Sequence, residues 1–85
     1  MKREEINKTV ASAIADVLGC ELCTVSQRSN LVEDLGADSI DAVDILVQLE
    51  TDLDFELSKD DYHEYIEQVH TVKDVCDLIE KYITN

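Results

Sequence analysis

The sequence predicts an all-α fold, a four-helix bundle with a long loop between helices one and two and a short third helix. Three observations carry that prediction. The chain has no proline and only two glycines, so it contains few strong helix breakers. Its apolar residues recur at three-four spacing and do not alternate. Asp, Ser or Thr stands ahead of each later apolar stripe with an acid three residues on, the pattern of a helix start. At 85 residues, the chain is read as one domain, 1–85, with neither internal repeat nor linker. A domain of this size buries roughly 60% of the surface its unfolded chain exposes, so a deep preformed catalytic cleft is not expected.

The elements follow in order. Ile6, Val10, Ile14, Val17 and Leu18 form a stripe that stops at Gly19, a natural C-cap, which predicts helix one over about Glu4 to Leu18. From Cys20 to Asp38 no period holds, and Ser26 to Asn30 is polar. This is read as a long loop in which Val25, Leu31 and Leu35 are apolar anchors and Gly36 supplies a backbone turn. Asp38 is the expected N-cap of helix two, with Asp41 adding an acid to its first turn. Steps of 100° place Ala42, Val43, Ile45, Leu46, Leu49 and Leu53 on one face. Asp41, Asp44, Gln48, Thr51 and Asp52 lie opposite, with Ile40 and Val47 at the border. Ser58 and Asp61 open a third helix bearing Tyr62, Tyr65, Ile66 and Val69. Thr71 and Asp74 open the last, in which Val72, Val75, Leu78, Ile79 and Tyr82 line a face to about Tyr82.

Twenty acids against seven Lys plus Arg give a net charge of −13, which repels nucleic acid and anionic membrane surfaces and predicts basic partners. The N-terminal stretch lacks the apolar run of a secretory signal, and no segment approaches the ~18 apolar residues of a bilayer span. A soluble, cytoplasmic monomer without membrane insertion is expected. Cys20, Cys23 and Cys76 are an odd set, so no closed disulfide framework is expected. Cys20-Glu21-Leu22-Cys23 follows a helix end, whereas a redox motif of this type sits at a helix start, and His63, His70 and Cys76 lack the paired spacing of zinc ligands. A calcium loop beginning at Asp52 would place Leu57 where glycine is required and His63 where glutamate is required. No metal site is expected beyond weak divalent association with the acidic helix, which self-repulsion makes stabilising. Asp38 and Asp41 could pair for acid–base work, but nothing signals the buried cleft such chemistry needs.

Ser39 stands within EDLGADSIDAVDIL, residues 33–46, which holds five carboxylates and no basic residue. As a self-driven nucleophile it would need an oriented base, and the surrounding acids would raise the cost of an alkoxide. As an acceptor of a phosphate group it would lie near the free N–H groups and positive dipole end of helix two. An ordinary first-turn serine is the other reading, and periodicity does not decide between the last two.

Asp38-Ser39-Ile40 within GADSIDAVDIL closely resembles the attachment motif of acyl carrier proteins, where Gly-Ala-Asp-Ser-Leu precedes an acidic amphipathic helix. The likeness extends to helix one, to the lead-in Leu31-Val32-Glu33-Asp34-Leu35-Gly36 and to the Thr71-Val72 start of the last helix. It implies that Ser39 receives 4′-phosphopantetheine from coenzyme A through a separate, magnesium-using phosphopantetheinyl transferase. The thiol of that arm would then carry acyl groups as thioesters to successive acyl-processing enzymes with basic docking patches, the carrier itself catalysing nothing. It also implies that an acyl chain can fold back between helices two and three. Nine acids and no Lys or Arg lie between Glu33 and Glu56. Such a field speeds encounter with basic patches while each exposed pair contributes only roughly 0–1 kcal/mol, so complexes form quickly and part easily. Glu33, Asp34, Asp38, Asp41, Asp44 and Glu50 are the expected docking acids, with Ile40, Val43 and Val47 as apolar contacts beside the arm.

The sequence departs from the family pattern after helix two, where Glu56-Leu57-Ser58 stands in place of an acid, an aliphatic and a proline. The stretch from Leu57 to Val72 is about four residues longer than in fatty-acid-type carriers, roughly one more helical turn. Phe55, just before that stretch, and Tyr62 and Tyr65 within it would either fill core or reshape the acyl cavity. Fatty acid biosynthesis is the expected setting. A specialised carrier for polyketide or cell-envelope acyl transfer, or an acidic helical module without a prosthetic group, would keep the same bundle.

Overall fold

The computed structural model describes residues 2–84 of the chain. It contains α1 (Arg3–Leu18), a single 3-10 turn (Leu22–Thr24), α2 (Ser39–Leu53), α3 (Lys59–Gln68) and α4 (Val72–Thr84). The all-helical, four-helix expectation holds, and α3, with 10 residues, is the shortest of the four. Helix α1 packs on both α2 and α4, and α3 lies more lightly against α2 and α4.

The helix boundaries follow from local chemistry. Gly19 takes a left-handed conformation (φ 67°) that ends α1, and the Cys20 N–H returns to the Ala15 carbonyl at 3.1 Å. The three start signals close as reciprocal caps. Asp38 and Asp41 bond each other's backbone N–H, as do Ser58 with Asp61 and Thr71 with Asp74. Asp54 (φ 55°) terminates α2 in the left-handed region, with the Phe55 N–H on the Glu50 carbonyl.

The core is assembled from the predicted stripes. Ile6, Val10 and Ile14 of α1 meet Ile45, Leu46 and Leu49 of α2, Tyr65 of α3, and Val72, Val75, Cys76 and Ile79 of α4, all fully buried. Fully burying one such aliphatic side chain contributes roughly 1.5–3 kcal/mol. Arg3 ties the start of α1 to α4 through Asp77 (2.6 Å) and Glu80 (3.4 Å).

The long loop is more ordered than its lack of period suggests. Its backbone clamps the α3–α4 junction: Leu31 N–H donates to the His70 carbonyl (2.9 Å), Val72 N–H to Ser29 (3.0 Å) and Lys73 N–H to Gln27 (3.1 Å). Leu31 is buried, and Val25 and Leu35 pack against the core, as their anchoring role requires. All three cysteines are free thiols: Cys23 is exposed, Cys20 half-buried and Cys76 buried. Burial pushes the Cys76 thiol up, which keeps it protonated and unreactive. No described helix is long and apolar enough to cross a membrane.

Candidate functional site

The loop delivers the start of α2 to a fixed place. Asn30 Oδ1 accepts the N–H groups of Val32 (3.0 Å) and Glu33 (2.9 Å), while its own N–H donates to Asp34 at 2.7 Å. Gly36 (φ 74°) then reverses the chain, a conformation that suits a residue without Cβ, and the Ala37 N–H closes back on the Leu31 carbonyl at 2.8 Å. With Leu31 and Ala37 both buried, the peptide leading into α2 is held between core and solvent.

Ser39 is the first residue of α2, immediately after the Asp38 cap. It is exposed, and its hydroxyl makes no hydrogen bond among the described residues. Of the first amides of the helix, that of Asp41 is taken by the Asp38 carboxylate, and those of Ser39 and Ile40 have no intrahelical acceptor. Ser39 also borders a cavity of about 210 Å³ between α2 and α3, walled by Leu31, Val32, Ala37, Ala42, Tyr65, Ile66 and Val69, with Asp38 and His70 at its polar edge. Tyr65 is fully buried, and its hydroxyl donates to the Ala42 carbonyl at 2.9 Å. Burial pushes its phenol far above the usual range, so it stays a donor. The His70 wall is absent from any local sequence signal. It follows from the backbone bond between Leu31 and His70, which joins residues far apart in the chain.

The predicted docking residues divide into two groups. Glu33 and Asp44 are exposed, and neither carboxylate takes a hydrogen bond or ion pair among the described residues. Asp34, Asp38 and Asp41 bond backbone amides, and thus also build the site. Glu50 is half-buried: it accepts the Tyr62 hydroxyl and the Leu57 N–H, linking α2 to the segment entering α3. That bond also raises the Tyr62 phenol. Ile40 is 69% exposed and Val47 48%, an apolar pair on the acidic side of α2, whereas Val43 is half-buried. Phe55 and Tyr62 line a second cavity toward the other end of α2, away from Ser39.

Comparison with known proteins accounts for this arrangement. The family model of the phosphopantetheine attachment site matches residues 8–79. The chain is 37% identical over 79 residues to the acyl carrier protein of Thermotoga maritima, covering 93% of each chain. It is 38% identical over 80 residues to that of Coprothermobacter proteolyticus, covering 94% of this chain and 93% of the relative.

The chain belongs to the acyl carrier protein family.

A solved structure of the acyl carrier protein from Enterococcus faecalis superposes with a TM-score of 0.67 at 30% identity, covering 96% of this chain and 99% of that one. Acyl carrier proteins are non-catalytic carriers, and the chain takes that role with its family. The residues around Ser39 fit a covalently tethered phosphate. They offer an exposed hydroxyl, two open amides at a helix start and an adjoining apolar cavity. Among the described residues no group of three or more His, Cys, Asp or Glu could hold a metal ion.

Proposed function

We propose that Ser39 is the residue that carries 4′-phosphopantetheine, and that residues 1–85 form one carrier domain moving acyl groups between enzymes of fatty acid biosynthesis. One observation carries the reading: the exposed Ser39 hydroxyl opens α2 beside an apolar cavity, between free amides and acids that face solvent. When bound, the arm supplies a thiol for thioester exchange. The chain's own residues do the rest. The amides of Ser39 and Ile40 offset the charge of a phosphodiester, Asp38 and Asp41 hold the helix start in place, and the cavity shelters the hydrocarbon nearest the serine. A tether turns each encounter with an enzyme into local delivery at raised effective concentration.

The partners under this reading are a phosphopantetheinyl transferase and acyl-processing enzymes with basic docking patches. Glu33 and Asp44 meet those patches by charge, and Ile40 and Val47 by apolar contact. A monomer presents this face without obstruction, and cytoplasmic enzymes are its expected partners.

Intact mass after incubation with coenzyme A, magnesium and a phosphopantetheinyl transferase tests the assignment. Wild type gains the mass of the arm and Ser39→Ala does not. An arm on another residue, or wild type refused by several transferases, would overturn it. Mass spectrometry of the carrier isolated from its native cell reads the cargo, and a polyketide-type chain there would refute the fatty-acid setting alone.

A further inference from the structure

Ser39 and His70 border the same cavity, Ser39 from the first residue of α2 and His70 from the junction between α3 and α4. The His70 backbone is fixed on both sides. Its carbonyl accepts the Leu31 N–H at 2.9 Å, and its N–H donates to Asp74 Oδ2 at 3.1 Å. The residue is exposed, and its imidazole makes no hydrogen bond or ion pair among the described residues. The ring is free to take a ligand.

Among the described residues that line this cavity, His70 is the one whose side chain can carry positive charge. The titratable groups that share its surroundings are Asp38 at the cap of α2, Tyr65 of α3 and Asp74 in the first turn of α4, while the loop contributes Leu31 and Val32. Glu67 and Lys73 flank it in the chain, both exposed. No Lys or Arg lies between Glu33 and Glu56, so an anion carried on the Ser39 hydroxyl has acids along α2 and one free cationic donor on the α3 side. We propose that His70 holds the root of the arm, with Ser39 as the attachment residue under the reading above, by donating from its imidazole to the phosphodiester and drawing it toward α3, away from the docking acids of α2. Such a bond is roughly twice as strong when the donor is ionised. Histidine changes charge between about pH 5 and 8, whereas a phosphodiester keeps its single negative charge throughout, so the hold is firm at the acidic end of that range and weakens as the ring loses its proton.

The arm is added with coenzyme A, magnesium and a phosphopantetheinyl transferase, and its position is verified by intact mass and peptide mapping. The protein with and without the arm is then titrated from about pH 5 to 8 by NMR, following both imidazole rings and the phosphorus resonance of the arm. On attachment the His70 titration curve moves to higher pH by about 0.3–1 pH unit, because a nearby negative charge favours the imidazolium. His63, the chain's other histidine, does not line the cavity, and its curve stays in place. The phosphorus resonance follows the His70 curve in wild type and is flat in His70→Gln, whose melting temperature matches wild type. An unchanged His70 curve, or a phosphorus titration that survives in His70→Gln, would overturn the proposal, and the wild-type comparison decides it even if His70→Gln fails to fold. If no arm is taken up at Ser39, the attachment reading fails by itself. Ser39→Glu then supplies the negative charge: a His70 curve displaced to higher pH relative to wild type supports the pairing, and an unchanged one refutes it.

Discussion

Asp38 and Asp41 bond each other's backbone across the first turn of α2. Asp38 Oδ1 accepts the Asp41 N–H at 2.8 Å, and Asp41 Oδ2 accepts the Asp38 N–H at 3.2 Å. Two acids that flank Ser39 are thus committed to holding the helix start. Asp38→Ala should therefore destabilise the protein by about 0.5–2 kcal/mol, the usual cost of a lost cap. In a domain of this size, thermal melts should fall by roughly 4–8 °C per kcal/mol. An unchanged melting temperature would contradict the structural role.

Glu33 and Asp44 have no such duty, so their neutralisation separates docking from stability. Glu33→Gln with Asp44→Asn should leave the melting temperature unchanged or slightly raised, because each removes a charge from a chain of −13. The same pair should slow transfer of the arm by up to about fivefold per charge at low salt, with less effect at high salt. Stopped-flow association or kcat/KM of the transferase across a salt series reads both. A loss independent of salt would point away from electrostatic docking.

Tyr82 makes alkaline stability a measurable quantity. Burial, with the charges of Glu64 and Asp61 nearby, pushes its phenol from 10.0 up to about 12. The unfolded chain therefore releases this proton at lower pH than the folded one, so ionisation favours unfolding. Its contribution is fully present below about pH 10 and is lost as pH rises toward about 12. Tyr65 shifts in the same direction. Urea melts at several pH values should show Tyr82→Phe losing less stability than wild type across that window. Identical losses would remove the assignment.

Millimolar magnesium should raise the melting temperature more than sodium chloride at matched ionic strength. The acids between Glu33 and Glu56 repel one another, and a divalent ion neutralises them at lower concentration. With no cluster of three or more metal-binding side chains among the described residues, the rise should be gradual and lack tight saturation. Equal effects of the two salts would dismiss divalent association.

Much of this was written in local spacing. The pairs Asp38/Asp41, Ser58/Asp61 and Thr71/Asp74 are short-range signals, and each closes as expected because a cap needs partners only three residues apart. Ile40 and Val47, placed at the border of the α2 face by angle alone, are exposed there. The ends moved by a residue or two, with α1 starting at Arg3 and α4 running to Thr84, since terminal turns depend on contacts that spacing does not encode. The turn Leu22–Thr24 carries no apolar period and so left no trace in the pattern.

The sequence by itself determined the four helices, their buried faces, the acidic side of α2 and the position of Ser39 at its start, because these depend on neighbours within a turn or two. Only the tertiary structure decided what faces the serine across the seam. His70 comes to its cavity through the Leu31 backbone, Glu50 is drawn from the acidic surface to Tyr62, and Tyr65 reaches Ala42. Those contacts join residues 12 to 39 positions apart in the chain. Their geometry is set by how the helices cross and by how the long loop pins the α3–α4 junction.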